Sequence, residues 1–137
     1  MSRHRTLSPK NKYYIPKEDY LTAIHHSLRY PLWVAEVEDA RNTATAIRYD
    51  KDKVQTSPSD DVIIKAATRA IEISKKVELI DEVIERCANG SVMEYYLRLG
   101  VCYGLTFDQL KQREMPCERD AYYSMRQRYY YELSQKI

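Results

Sequence analysis

The sequence predicts an all-α fold: a helical body built on one long central helix and closed by a short helix, a tight turn and a last helix. Three observations predict it. Ile63, Ala66, Ala70, Ile73, Val77, Ile80, Ile84 and Cys87 follow an unbroken 3-4-3-4 spacing, the repeat of one helix face. Only three of 137 residues are glycine, too few for the turns of an all-β fold or for a glycine-rich phosphate loop. Asn89-Gly90, Gly104 and Met115-Pro116 cut the C-terminal third into short segments of helical spacing. The chain divides into a flexible basic arm over residues 1–15, a helical region over 16–90 holding the long helix, and a helix-turn-helix region over 91–137.

The first helix opens at Pro16, with Glu18 and Asp19 in its first turn, where carboxylates meet the positive end of the helix dipole. Tyr20, Leu21, Ile24 and Leu28 keep helical spacing up to Tyr30, and Pro31 interrupts. A second helix over Leu32–Arg41 carries Trp33, Val34 and Val37 on one face. Asn42–Ser59 is polar and without sustained period, so it reads as a long connection. The long helix follows, bounded by Ser59-Asp60-Asp61 and Asn89-Gly90. Ile64, Ala67 and Ile71 widen its apolar stripe beyond a two-stranded seam, favouring packing on more than one neighbour. The same stripe allows a homodimer through Asp60–Asn89.

In the last third, Ser91 caps a short helix running to Gly100, with Val92, Tyr95, Tyr96 and Leu99 as its apolar positions. Thr106 is a second N-cap, after which Phe107 and Leu110 turn inward and Met115-Pro116 ends the segment. The final helix starts near Cys117. Ala121, Met125, Tyr129 and Leu133 face inward at i, i+4 spacing, which leaves Glu118, Arg119, Tyr122, Tyr123, Arg126 and Gln127 on or near the exposed face, with Arg128 beside them.

These residue types suit a duplex. Arginine reads guanine edges or pairs with phosphate, glutamine reads adenine, and tyrosine donates to phosphate or stacks. Five of the 13 tyrosines fall within Tyr122–Tyr131, so this helix concentrates the aromatic surplus. Charge argues the other way: residues 107–137 carry six basic and five acidic side chains, a weak balance for a DNA surface. The net charge of +2 resolves into +5 over residues 1–17, from Arg3, Arg5, Lys10, Lys12 and Lys17, and −3 over the remainder (17 basic, 20 acidic). That arm is a solubilising tail or a phosphate-touching one.

The stretch Gly104-Leu105-Thr106-Phe107-Asp108-Gln109-Leu110-Lys111, with Met115-Pro116-Cys117-Glu118-Arg119-Asp120-Ala121-Tyr122-Tyr123 and Arg126-Gln127-Arg128-Tyr129-Tyr130, resembles small phage-encoded transcriptional regulators of Gram-positive bacteria. These are the ArpU/RinA-type late-gene activators, whose C-terminal part is similar to sigma factor region 4. Lys12-Tyr13-Tyr14-Ile15-Pro16, Ala46-Ile47-Arg48-Tyr49-Asp50 and Glu72-Ile73-Ser74-Lys75-Lys76 resemble the same set, so the resemblance spans most of the chain. It implies a DNA-binding activator of phage late or packaging genes that recruits RNA polymerase without catalysis. Thr106–Arg113 would be its supporting helix and Cys117–Tyr130 its recognition helix. Met115-Pro116 stands where region 4 carries a small residue or glycine.

Other chemistries find little footing. His25 and His26 are adjacent and point about 100° apart on a helix, so they form no two-ligand face. Asp60-Asp61 and Asp81-Glu82 sit in helix-start or solvated-face contexts, whereas a nuclease needs carboxylates that converge from several elements. Cys87, Cys102 and Cys117 lack a CxxC pair and read as reduced thiols; Cys117, at a helix start, is a candidate for a depressed pKa but has no partner base. The expectation is therefore a non-enzyme with no cofactor and no metal, binding double-stranded DNA, in the cytoplasm of a bacterial host cell. The alternative is a phage assembly or inhibitor protein, such as a small terminase-like subunit, whose tyrosine-rich surface binds protein.

Overall fold

The computed structural model describes residues 9–50 and 60–137, with side chains described over 9–43 and 61–137. Among them are six helices and no strand, so the all-α class holds: α1 (Lys17–Leu28), α2 (Tyr30–Asp50), α3 (Asp60–Ala88), α4 (Met93–Cys102), α5 (Phe107–Gln112) and α6 (Arg119–Ser134). The chain forms two units. One takes the residues up to Tyr30 together with Ile80–Ile137, and the other is Pro31–Leu79. The boundary between the units falls within α3, between Leu79 and Ile80, and α1 packs on α6 and α4 in the first of them.

Within the first unit, α1 starts from Pro16, whose carbonyl accepts from the Tyr20 N–H, and buries Tyr20, Ala23 and Ser27. Leu28, expected inside, is exposed at 43%. The buried stripe runs through the small Ala23 and Ser27, which let α1 lie close to α6. The Ser27 hydroxyl bonds the Ala23 carbonyl and meets the Tyr129 hydroxyl at 2.8 Å, so two buried polar groups satisfy each other. Arg29 alone separates α1 from α2. Pro31, expected to interrupt, is the second residue of α2, in a first turn where a missing N–H costs no helical bond.

Ile80, Val83, Ile84, Cys87 and Ala88 of α3 join the core with Met93, Leu97, Val101 and Cys102 of α4. The expected end of α3 is in place, with Asn89 and Gly90 both at positive φ (57° and 66°). Ser91 then accepts from the Met93 N–H at 3.2 Å and caps α4. Val92 and Tyr95, expected to be apolar anchors, are exposed, and Met93 and Leu97 are the anchors instead. Gly100 does not end α4. It lies inside it, where any Cβ would collide with the Tyr122 hydroxyl, so glycine admits the close approach of α6. The break comes at Gly104, with φ +73°.

In the second unit, α2 continues to Asp50, past the expected end at Arg41. No Gly or Pro stands between Asn42 and Ser57 to stop it. The rest of the expected connection, 51–59, lies outside the described residues. Trp33 and Ile73 are buried, Lys76 lies over the Trp33 ring at 5.2 Å, and Arg69 pairs with Glu36 at 3.4 Å. Ile64, Ala67 and Ile71, expected to pack on a second neighbour, are exposed among the described residues.

Candidate nucleic-acid interface

The segment from Thr106 to Ser134 is built from local rules. Thr106 closes a full capping box: its hydroxyl accepts from the Gln109 N–H at 3.3 Å, and the Gln109 side chain accepts from the Thr106 N–H at 2.9 Å. After six residues α5 ends in a Schellman pattern, with Glu114 N–H on the Lys111 carbonyl and Met115 N–H on the Leu110 carbonyl. Glu114 takes the left-handed conformation (φ 65°) that such a turn requires. Leu110 and Met115, the apolar pair of that motif, are both buried. Lys111 Nζ then donates to the carbonyls of Met115 and Cys117 at 3.1 and 3.3 Å, and the Tyr96 hydroxyl donates to the Arg113 carbonyl at 2.6 Å. The turn is thus held by its own lysine and by α4.

The inward face of α6 is the expected one at Tyr129 and Leu133 only. Tyr122, Tyr129, Tyr130 and Leu133 are buried, whereas Ala121 is exposed and Met125 half-buried. This is a rotation of roughly 60° at about 100° per residue. Tyr122 is 1% exposed and is no surface residue. Its ring packs against Phe107 and Tyr123, and burial lifts its phenol to about 12. A tyrosine can be interior where a hydroxyl finds an internal site, as Tyr129 does on Ser27. Residue type alone does not reveal that.

The remaining expected contact residues part onto three sides. Glu118 and Arg119 stand exposed at the start of α6, with Arg119 3.6 Å from Asp108 and 4.6 Å from the Phe107 ring centre. Tyr123 and Arg126 are half-buried and line a groove of about 520 Å³ between α1, the α4–α5 junction and α6, which Arg119 also reaches. Arg126 lies 4.5 Å over the Tyr123 ring. Gln127 is engaged elsewhere: its side-chain amide donates to the Tyr13 carbonyl at 3.0 Å. Arg128 points to another side, with Glu132 at 3.5 Å. The arm is not wholly loose either. Ile15 is buried and Tyr13 meets Tyr131 edge-on at 5.5 Å, which lays Pro9–Pro16 along α6 and leaves Lys10 and Lys12 exposed.

Cys117 departs from expectation as well. Burial raises its thiol, with Lys111 opposing and Glu118 adding. Among the described residues no His/Cys/Asp/Glu group is placed to hold a metal ion, and no helix is long and apolar enough to cross a membrane. Sequence reading missed Tyr20, Ile24 and Leu28 as walls of the groove, since only the packing of α1 on α6 brings them there. No family model, curated protein or solved structure matches the chain.

Proposed function

We propose that this chain is a sequence-specific DNA-binding regulator, an activator of phage late or packaging genes that recruits RNA polymerase without catalysis, in the cytoplasm of a bacterial host. The observation that carries the reading is the α5–turn–α6 unit. A capped short helix and a turn fixed by Glu114, Met115 and Lys111 lead to a second helix whose first residues, Glu118 to Ala121, are all exposed while its later turns are anchored in the core. The resemblance of this same stretch to phage late-gene activators supports it.

Arg119 is the one cation in that exposed first turn. Its exposed pairing with Asp108 is worth little in water, so a phosphate or guanine edge competes for it readily. Gln127 holds the arm beside α6, and Lys10 and Lys12 add cations there that backbone phosphates attract. Tyr122 drops out of the contact set and Gln127 becomes a positioning residue. Arg119→Ala is expected to weaken a selected duplex by about 1–3 kcal/mol. Lys10→Ala with Lys12→Ala is expected to weaken all duplexes alike and flatten the salt dependence. Anisotropy titrations in which all three substitutions leave affinity and salt slope untouched overturn this assignment.

A second reading, the assembly or inhibitor protein, is favoured by one observation: the exposed apolar side chains Val62, Ile64 and Ile71 on α3. A homodimer along all of Asp60–Asn89 does not fit, because Ile80, Ile84 and Cys87 are already buried within the chain. Self-association would have to use the first half of α3, and sedimentation of wild type against Ile64→Ser with Ile71→Ser reads it directly.

A further inference from the structure

The groove between α1 and α6 holds a cation that the exposed start of α6 does not explain. Among the described residues, Arg69, Arg86, Arg98, Arg119 and Arg128 each have a carboxylate within 4 Å, whereas Arg126 has none. It is half-buried among tyrosines: over the Tyr123 ring, beside the Tyr20 phenol and close to Tyr130. Arg126 hydrogen-bonds the Tyr20 phenol and, among the described residues, has no carboxylate in reach of its other N–H groups, which leaves them to a bound anion.

Arg119 belongs to the same groove, two helical turns before Arg126, and its acid Asp108 is 82% exposed and loosely held. Both guanidiniums rest on aromatic rings, and Phe107 and Tyr123 lie 6.2 Å apart at 30°, so the four groups follow one another as Arg119, Phe107, Tyr123 and Arg126. A guanidinium over a ring keeps its edge N–H groups for donation in pairs, the geometry that matches a phosphate. Ile24, Leu28 and Leu105 give the same groove apolar lining, next to His25 and Thr106. That lining explains why a leucine stands half-exposed on α1. A volume of about 520 Å³ lies in the range of small-ligand sites.

We infer that this groove is a binding site for a phosphate group carried on an organic body, with Arg126 and Arg119 as its anion donors and the apolar lining of Ile24, Leu28 and Leu105 against the body. The phosphate has two sources, a free nucleotide-sized molecule or a backbone phosphate of bound nucleic acid, and the same set of variants separates them. The full chain is titrated with inorganic phosphate, with a nucleoside monophosphate and with a random duplex, following heat and tyrosine fluorescence.

Binding of the nucleoside monophosphate, weakened about tenfold or more by Arg126→Gln, partly kept by Arg126→Lys and unchanged in Arg69→Gln, supports a small-molecule site. Duplex binding with that same Arg126 dependence, and no response to the nucleotide, supports the backbone as the source. If none of the three probes responds to Arg126→Gln in a variant with unaltered helical circular dichroism, the inference is overturned. The result also parts from the DNA reading: duplex affinity that falls in Arg119→Ala, with no probe responding to Arg126→Gln, removes this site and leaves that reading standing.

Discussion

The two halves of α3 have nearly the same apolar content and opposite fates. Ile80, Val83 and Ile84 in its second half are 0% exposed, while Ile64 and Ile71 in its first half are 61% and 57% exposed. Periodicity is common to both, so periodicity decides that a helix forms and not what covers it. What separates the halves is the number of partners. Among the described residues, the second half shares its buried core with α4, and the first half has Arg69 paired with Glu36 of α2 and Ile73 buried near its end. A wide apolar stripe is therefore evidence of a second contact only where another element of the same unit supplies it.

The sharpest way to break this comparison is to shorten one isoleucine in each half. Ile84→Ala is expected to cost about 2–5 kcal/mol in denaturant unfolding, and Ile71→Ala less than about 0.5 kcal/mol. Equal losses would mean that the first half is covered in solution, and the contrast between the halves would fall. The next largest effect tests how the well-packed unit is closed. Gly100→Ala is expected to cost about 1–3 kcal/mol because its Cβ meets the Tyr122 hydroxyl, and Tyr122→Phe in the same chain should return part of that loss.

Thr106→Ala removes both bonds of the capping box and is expected to cost about 1 kcal/mol. Circular dichroism melts of this variant report on the same unit, whereas cap loss in an uncoupled region would leave the main transition in place. The smallest effect at neutral pH comes from titration. Cys87 and Cys102 are pushed from 9.0 to about 12 and Tyr122 from 10.0 to about 12, mainly by burial. Their raised folded values make stability complete below pH 9 and lost progressively as pH climbs from 9 towards 12. A melting temperature flat across that window would show these groups to be open to water.

Much of the fold was legible because caps and breakers act locally. Pro16, Asn89-Gly90, Ser91, Gly104, Thr106 and Met115-Pro116 each mark a boundary that the helices respect, and the spacing within 63–87 gives one helix. The site was less legible because faces are set by partners far along the chain. Tyr122 is interior only because Gly100, twenty-two residues earlier, leaves room for its hydroxyl. Gln127 is occupied only because Tyr13 returns from the other end of the chain to meet it. No periodicity carries either fact. The end of α2 failed for a different reason: polar composition resembles a loop, and the absence of Gly and Pro outweighed it.

The central claim is that the exposed start of α6 reads DNA. Selecting genomic fragments with the full chain, then measuring the enriched duplex against wild type and Arg119→Ala at several salt concentrations, tests it most directly. The account predicts a shared sequence among the fragments and a loss of about 1–3 kcal/mol in the variant that is smaller on unrelated duplexes. No enrichment at low salt, or equal affinity of the variant for the selected duplex, would contradict it.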